Sequence, residues 1–272
     1  MSGTSSKSAN FSNLPAGSIP LDVARKVAER LRRTLEPFCE RIEVAGSIRR
    51  GKALVGDIEL VAIPEMLQMG GQLTLFGSIE PGRTVSLLDQ HLDKMLAEQS
   101  IHRSPRDIWD NLIYAHRQAL RCPDDVRRWG ERYKRFYIWA GSTWGIIPVD
   151  LFITTREAWG AIYTIRIGPG DFSRELVTHF LKRTPYRQQD GQLVRQDTGE
   201  AVPVPEERDY FERAGLPYIE PAARTVRALR TAIRRHVHPD VWTDNRTDVR
   251  YNGLTVSEWL RERLLAGAGV AE

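Results

Sequence analysis

Three acidic residues interrupt two apolar stretches of the chain, and their spacing suits the binding of divalent cations. Asp57 and Glu59 lie two positions apart within the apolar stretch 55–62, so on a β-strand both side chains would project from the same face. Asp150 interrupts a second apolar stretch, 147–153. Carboxylate oxygens are ligands that hard cations prefer, and shared cations would compensate a cluster of negative charge. The pattern therefore predicts that the three acids converge on a pair of metal ions.

A basic turn precedes the first two acids and adds a site for a phosphate group. In the segment 46–52, Gly46 permits close backbone approach and Ser47 offers a hydroxyl. Arg49 and Arg50 can engage phosphate oxygens through two parallel hydrogen bonds. Two metal ions beside a bound phosphate would serve phosphoryl or nucleotidyl transfer. The alternative is that the acids are only the solvent-facing positions of an amphipathic sheet.

The two motifs together resemble the signature of one enzyme family. Gly46-Ser47-Ile48-Arg49-Arg50-Gly51 followed by Gly56-Asp57-Ile58-Glu59 is similar to the signature of the polymerase beta, or polymerase X, branch of nucleotidyltransferases. Farther along, the segment 215–221 with Arg224 resembles the end of that family's thumb subdomain. The resemblance spans roughly 21–224 and is interrupted at 104–132.

The resemblance implies a role for each matching residue. Asp57 and Glu59 would bind two Mg²⁺ ions, for which Mn²⁺ is an alternative, and Asp150 would bind the catalytic ion and assist deprotonation of a 3′-hydroxyl. Ser47 and Arg50 would hold the triphosphate of a nucleotide. The remaining nucleotide-binding positions expected from the resemblance are Gly46, Gly56, Gly168, Asp171, Phe172 and Ser173.

The chain departs from the family at two places that bear on the substrate. Glu59 stands where aspartate is usual, which keeps the charge and the oxygen ligands. Ile165-Arg166-Ile167-Gly168 stands where the family carries a Tyr-Phe-Thr-Gly segment that helps to exclude a ribose 2′-hydroxyl, and Ser173 replaces an asparagine. We therefore expect relaxed discrimination between deoxyribonucleotides and ribonucleotides.

The resemblance covers the family's palm and thumb and not its lyase domain or helix-hairpin-helix fingers, so we expect other residues to bind DNA. Neutralised phosphates release counterions, and the candidates are the arginines near the C-terminus. These are Arg224, Arg227, Arg230, Arg234 and Arg235. A solvated, arginine-rich helix face is the alternative interpretation. The tryptophans, among them Trp139 and Trp159, could stack on bases but more often fill cores.

Hydrophobic periodicity predicts the elements that position these residues. Apolar residues at helical spacing indicate helices over 21–35, 87–96, 173–182, 206–214, 224–235 and 256–264. Strands are predicted at 42–45 and 57–63, with a hairpin formed by 136–140 and 148–153 and a hairpin or loop at 188–199. Within 104–132 we expect a helix that opens at Ser104-Pro105, with a second starting near Asp124 and Asp125.

These elements predict an α/β (α+β) fold, with a mixed sheet backed by helices and a small C-terminal subdomain. The expected organisation is a flexible leader at 1–18, a nucleotidyltransferase palm at 19–155, a thumb-like subdomain at 156–224 and a basic helical extension at 225–272.

Composition narrows the cellular setting. The 272 residues are 41% hydrophobic, enough for a sizeable core, and their formal charge of +4 favours a polyanionic partner such as nucleic acid. Cys39 and Cys122 form no metal-ligand pattern, so structural zinc and a disulfide framework are poorly supported. No apolar run is long enough to cross a bilayer. We expect a cytoplasmic monomer without membrane contact.

The sequence thus predicts a metal-dependent nucleotidyltransferase of the X family. It would add nucleotides from an NTP or dNTP to a nucleic-acid 3′-hydroxyl with release of pyrophosphate, in DNA repair or end processing. DNA, as a primer end with or without a template, and a nucleoside triphosphate are the expected partners. Two alternatives stay open: a nucleotidyltransferase acting on RNA ends, a small molecule or a protein, and a non-catalytic palm that only binds nucleic acid.

Overall fold

The structure, a computed structural model, describes residues 17–69, 83–236, 250–251 and 254–255. The strands in chain order are β1 (Ile19–Pro20), β2 (Cys39–Val44), β3 (Leu54–Val55), β4 (Ile58–Pro64), β5 (Met66–Met69), β6 (Arg83–Ser86), β7 (Arg128–Trp129), β8 (Tyr133–Trp139), β9 (Ile146–Ile153), β10 (Tyr186–Gln189), β11 (Gln192–Arg195), β12 (Ala201–Val202), β13 (Arg250–Tyr251) and β14 (Leu254–Thr255). The helices are α1 (Leu21–Leu35), α2 (Gly46–Arg49), α3 (Leu87–Ala97), α4 (Pro105–Trp109), α5 (Tyr114–Ala119), α6 (Trp159–Ile167), α7 (Gly170–Arg183), α8 (Glu207–Arg213) and α9 (Val226–His236). Two short 3₁₀ helices cover Glu36–Phe38 and Pro221–Ala223.

A five-stranded mixed sheet with the order β2-β4-β9-β8-β7 organises the first half of the chain. The central strands β4 and β9 run parallel, and each of the other neighbouring pairs runs antiparallel. Two smaller ribbons flank it: β1 pairs with β3, and β5 pairs with β6. The expected α/β fold with a mixed sheet is confirmed.

One face of this sheet is buried under α1 and α3. Alternate residues of the central strands point to that face, among them Ile58, Leu60 and Leu151. The helix α1 buries one stripe, formed by Ala24, Ala28, Leu31 and Leu35, because its apolar residues recur at helical spacing.

The opposite face carries Asp150 and is covered at its two ends by different elements. At one end Trp159 and Tyr163 of α6 pack with Val61 and Phe152. At the other end Ile108 of α4 packs with Tyr137 and Ile146, and Leu112 lies against that cluster.

The C-terminal unit, residues 156–236, has a core of its own. It combines α6 to α9 with an antiparallel sheet of order β10-β11-β12. Its core includes Phe172, Leu176, Phe180, Tyr210, Phe211 and Leu229. A second, smaller unit therefore follows the main sheet, as the change in sequence pattern near 160 indicates.

Most predicted elements are confirmed, and one is wrong. The strands around Asp57 and Asp150, the helix α3 and the hairpin of β8 and β9 form where expected. Ser104 begins α4 with a capping box closed by Asp107. The helix expected to start near Asp124 and Asp125 is the wrong prediction: the segment 121–127, all of which is described, is irregular and leads into β7. The expected helix at 256–264 and most of the expected leader at 1–18 lie outside the described residues.

The search for a bilayer-spanning element covers the described part of the chain. There, no helix combines the length and the apolar character that crossing a membrane requires.

Candidate active site

The structure places two of the three acids side by side. Glu59 of β4 and Asp150 of β9 are direct partners in the parallel register. Asp57 lies in a bend immediately before β4 rather than on the strand. Because side chains alternate along strands, Glu59 and Asp150 project from the same face, the one on which α6 packs.

The electrostatic state of the acids reflects how close they are to one another. Burial raises the pKa of Glu59 to about 7, the negative charges of Asp57 and Asp150 add to the rise, and Arg50 opposes it. Burial also raises the pKa of Asp150, against the opposing effect of Arg135. Carboxyl groups whose pKa values are raised by burial and by a neighbouring carboxylate are common at functional sites.

Gly46 makes room for the carboxylate of Glu59. Its φ of +60° is left-handed, and a Cβ atom at this position would lie 1.8 Å from Oε2 of Glu59. Gly46 begins α2, whose next residue, Ser47, is buried with no hydrogen-bond partner for its Oγ among the described residues. A hydroxyl without a partner next to an acid can donate to a ligand oxygen.

The two arginines of the basic turn reach into the C-terminal unit. Arg49 donates to the hydroxyl of Tyr163, and its other Nη lies 2.6 Å from a carboxylate oxygen of Glu207. Arg50 donates to the backbone carbonyl of Ile167, the last residue of α6. The cationic groups expected at a triphosphate thus also connect the main sheet to the C-terminal unit.

Two residues of β8 hold Asp150, and the sequence did not single them out. The hydroxyl of Tyr133 donates to Oδ1 of Asp150 at 2.9 Å, and Nη1 of Arg135 donates to Oδ2 at 3.3 Å. Arg135 is the direct antiparallel partner of Asp150. The predicted hairpin strand at 136–140 begins after both residues, and only an extension of its pairing register toward 133 would have found them.

Arg166 is a further cation near the acids. Its guanidinium lies 3.8 Å from the ring centre of Phe152, and its Nε is buried without a hydrogen-bond partner among the described residues. Burial lowers its pKa, while Glu59, Tyr133 and Asp150 oppose that shift. The sequence marked Arg166 only as a departure from an aromatic segment, so its place beside the acids is new.

The oxygen ligands suit a hard cation by chemistry but do not form a closed set. In the part of the chain that the structure describes, no group of three or more His, Cys, Asp and Glu side chains is arranged to hold a metal ion. Asp150 is engaged by Tyr133 and Arg135, and Glu59 lies against Gly46. Glu59 and Asp150, on adjacent strands, nevertheless supply the carboxylate oxygens that a hard cation such as Mg²⁺ prefers.

Comparison with known families concerns the C-terminal unit. Residues 165–225 match the DNA polymerase beta thumb. The chain matches no curated protein. The match covers less than a quarter of the chain, and it supports a relationship to the polymerase X family.

The positions of the thumb expected to contact a nucleotide divide into two groups. Asp171 is exposed, and its charge acts on Arg50, so it lies beside the basic turn. Phe172 is a correction: its ring is fully buried in the thumb core and has no surface to offer a ligand. The buried hydroxyl of Ser173 donates to the carbonyl of Ile165, and its contact with a nucleotide stays a prediction.

The glycines expected at the nucleotide differ in what they contact. A Cβ atom at Gly168 would lie 2.5 Å from Oγ of Ser173 and 2.7 Å from the ring of Phe172, so this glycine permits close packing within the thumb. A Cβ atom at Gly56 would meet open space. Packing therefore accounts for Gly168, whereas no neighbouring atom requires a glycine at position 56.

The expected DNA-binding arginines are corrected at one position. Arg224 is only 1% exposed, and its guanidinium donates to Glu207 at 2.7 Å and to the carbonyl of Ile219 at 3.0 Å. It binds the thumb together and cannot reach a DNA phosphate. Arg230 pairs with Glu175 of α7 at 2.9 Å. The side chains of Arg227, Arg234 and Arg235 are exposed on α9.

Proposed function

We propose that this protein is a metal-dependent nucleotidyltransferase that joins a nucleoside triphosphate to the 3′-hydroxyl of a nucleic acid and releases pyrophosphate. DNA is the proposed acceptor and DNA repair or end processing the proposed role. The observation that carries the proposal is the direct pairing of Glu59 with Asp150 on parallel strands, beside Asp57 and Arg50. The polymerase beta thumb match supports the same reaction class.

The proposal gives each side chain a separate task. Asp57, Glu59 and Asp150 would hold two Mg²⁺ ions, with Mn²⁺ as an alternative. Such ions stabilise the charge that develops on the attacking and leaving oxygens. Asp150, kept in place by Tyr133 and Arg135, orients the acceptor hydroxyl and receives its proton. Arg50 and the unpaired hydroxyl of Ser47 hold the triphosphate.

The same proposal assigns a role to each part of the chain. Residues 19–155 form the catalytic palm, 156–224 the thumb and 225–272 a basic extension that contacts DNA. The palm supplies the acids, and α6 brings the thumb against the same face of the sheet.

Incorporation of a labelled nucleotide tests the proposal at Asp150. With purified protein, a 3′-hydroxyl oligonucleotide and Mg²⁺ or Mn²⁺, we expect extension that Asp150→Asn lowers by about a hundredfold or more, because a metal ligand and the hydroxyl-orienting group are lost together. Asp22→Asn, which removes an exposed acid on α1, should leave the rate unchanged.

Several acceptors, offered with and without a template, decide between this function and its alternatives. Labelling of RNA ends, a small molecule or protein in place of DNA would replace the proposed acceptor. Binding of DNA without labelling of any acceptor would contradict catalysis.

A further inference from the structure

A row of four charged residues crosses the main sheet on the face of the acids. Glu59 of β4 pairs with Asp150 of β9. Asp150 pairs in turn with Arg135 of β8, and Arg135 pairs with Arg128 of β7. Side chains of directly paired residues lie on the same face of a sheet. The row therefore runs from two acids to two arginines, and it ends on the last strand of the sheet.

Contacts of the side chains confirm the face on which each arginine lies. Nη1 of Arg135 donates to Oδ2 of Asp150 at 3.3 Å. Trp129, the residue after Arg128, packs on the opposite face, against the core under α1 and α3. There the guanidinium of Arg103 lies 4.4 Å from the ring centre of Trp129. Because side chains alternate along a strand, Arg128 lies on the face of the acids.

The irregular segment before β7 brings Arg128 to this place. The hydroxyl of Tyr137, the next residue of β8 on this face, accepts from the backbone N–H of Val126 at 3.0 Å and donates to the carbonyl of Asp124 at 2.9 Å. Arg128 itself is exposed, and its Nη1 donates to the carbonyl of Arg127 at 2.9 Å. A guanidinium has five N–H donors, so others can reach a ligand.

Both ends of the acid face along β9 are covered. Phe152 packs with α6, and Ile146 packs with Ile108 of α4. A chain that leaves Asp150 over the sheet therefore passes across the strands rather than along them.

The proposed triphosphate site occupies one side of Asp150. Gly46 lies against Glu59, and the charges of Glu59 and Arg50 act on each other, so both groups belong to the β4 side of the acids. In phosphoryl transfer the attacking and leaving oxygens lie roughly in line, on opposite sides of the phosphorus atom. The acceptor strand, which carries the attacking hydroxyl, then approaches Asp150 from the side of β8 and β7.

The distance from Asp150 to Arg128 suits a short length of nucleic acid. Neighbouring strands lie about 4.8 Å apart, so Arg128, two strands beyond β9, is roughly 10 Å from Asp150. Stacked nucleotides rise by about 3.4 Å each, so this distance corresponds to roughly two or three of them.

We propose that Arg128 binds a backbone phosphate of the acceptor strand roughly two or three nucleotides upstream of its 3′ end, with Arg135 adding positive charge beneath the strand. The inference rests on the proposed function, because it takes the 3′-hydroxyl to lie at Asp150. Arginine can engage phosphate oxygens through two parallel hydrogen bonds.

A thermodynamic cycle between Arg128 and single DNA phosphates tests the contact. The primer, alone or annealed to a template, ends in a dideoxynucleotide, so that it binds in Mg²⁺ and nucleoside triphosphate without reacting. A neutral methylphosphonate replaces one linkage at a time. In the wild type, a neutral linkage roughly two or three nucleotides from the 3′ end should weaken binding about fivefold. In Arg128→Gln the unmodified primer should bind about fivefold more weakly, and the neutral linkage should cost nothing more.

Two further variants are the controls. Arg25→Gln removes the same charge from an exposed position on α1, which covers the opposite face, and should keep the wild-type response to the neutral linkage. Arg128→Lys keeps the charge and should bind the primer within about threefold of the wild type. Thermal unfolding of each variant checks that the fold is retained, as the exposure of Arg128 leads us to expect.

An equal response to the neutral linkage in wild type and Arg128→Gln would overturn the inference, because Arg128 would then only discourage edge-to-edge pairing of β7. Coupling only to phosphates more than about five nucleotides from the 3′ end would overturn it as well. If the primer is extended but shows no coupling, this contact fails and the proposed function stands. Coupling without incorporation of a nucleotide would contradict catalysis alone.

Discussion

Glu59 is enclosed on one side by the backbone of Gly46 and on the other by two carboxylates, so both burial and like charge oppose its ionisation. In the folded, metal-free protein its pKa is about 7, above its ordinary value of 4.5. Because the folded state holds this proton more tightly, ionisation of Glu59 destabilises the fold. The protonated carboxyl group of Glu59 therefore stabilises the fold fully below pH 4.5, and this stabilisation is lost as the pH rises through 7.

The first prediction concerns this proton. In EDTA, the free energy of unfolding of the wild type should fall between pH 5 and pH 8 relative to Glu59→Gln, by an amount on the order of 3 kcal/mol. Urea unfolding at both pH values measures the difference. Glu65→Gln, at an exposed position, is the control. Parallel pH profiles for wild type and Glu59→Gln would contradict the prediction.

A second prediction concerns the sugar of the nucleotide. Ile165 and Ile167 stand in the segment where the family carries aromatic and hydroxyl side chains, and Arg166 is turned onto Phe152. Ile167 is fully buried, so this segment offers the sugar no aromatic barrier, and apolar contacts alone reject an added hydroxyl by about a hundredfold at most. We expect kcat/KM for dATP and ATP to differ by less than that. A deoxynucleotide preference of about a thousandfold would refute relaxed discrimination.

The sequence predicted the shared face of Glu59 and Asp150 but placed Asp57 on the strand, although it lies in a bend, and it missed the neighbours of Asp150. An acid inside an apolar strand is conspicuous, and alternation along β4 and β9 fixes the face of Glu59 and Asp150. Tyr133 and Arg135 depend on strand register, which a one-residue shift would reverse. The burial of Arg224 could not be seen from an arginine-rich pattern, because its partner Glu207 lies on a separate helix.

At the scale of elements, α6 is attached to the segment before α8 at very short range. The backbone N–H of Gly160 donates to the carbonyl of Val204 at 2.7 Å. A Cβ atom at Gly160 would lie 2.0 Å from the carbonyl oxygen of Glu206. Both obstructing atoms belong to backbone, so neither can rotate away.

The third prediction follows from that close approach. Gly160→Ala should lower the free energy of unfolding by about 3 kcal/mol or more, because α6 must move away from its support. Gly170→Ala is the matched control: a Cβ atom at this first residue of α7 meets nothing within 4 Å. Its effect should stay within about 1 kcal/mol. Equal effects in the two variants, measured by urea unfolding, would contradict this account.

The elements around the main sheet were predictable where apolar periodicity was strong, as in α1 and α3. The elements of the segment 104–132 were harder to predict from the sequence. Only its capped start at Ser104 carried a clear signal, whereas α5 and the irregular segment 121–127 are positioned by contacts with β8. Tertiary contacts, which no local pattern encodes, decide such segments.

At the scale of the whole molecule, the positive charge on α9 is the proposed contact with DNA phosphates. The helix packs on α7 through Leu229 and Ile233 and leaves Arg227, Arg234 and Arg235 in solvent. The helix α1 also carries exposed basic residues, but it covers the sheet face opposite to the acids.

The fourth prediction compares these two surfaces. Replacing Arg227, Arg234 and Arg235 with glutamine should reduce the slope of log K against log salt for DNA binding by roughly 0.7–0.9 for each DNA phosphate that α9 then leaves unneutralised. Replacing Arg25, Lys26 and Arg30 of α1 with glutamine removes the same charge and should leave the slope unchanged. Equal slopes for the two triple variants would show that α9 does not contact DNA.

The hydrogen bond from Arg50 to the carbonyl of Ile167 gives this cation a second task besides the proposed binding of a triphosphate. The C-terminal carbonyls of a helix carry partial negative charge, and Arg50 caps those of α6. A triphosphate that draws the same guanidinium toward its own oxygens weakens this cap. Under the proposed function, binding of the nucleotide and weakening of this contact between the two units would be a single electrostatic exchange, while Arg49 still joins α2 to Tyr163 and Glu207.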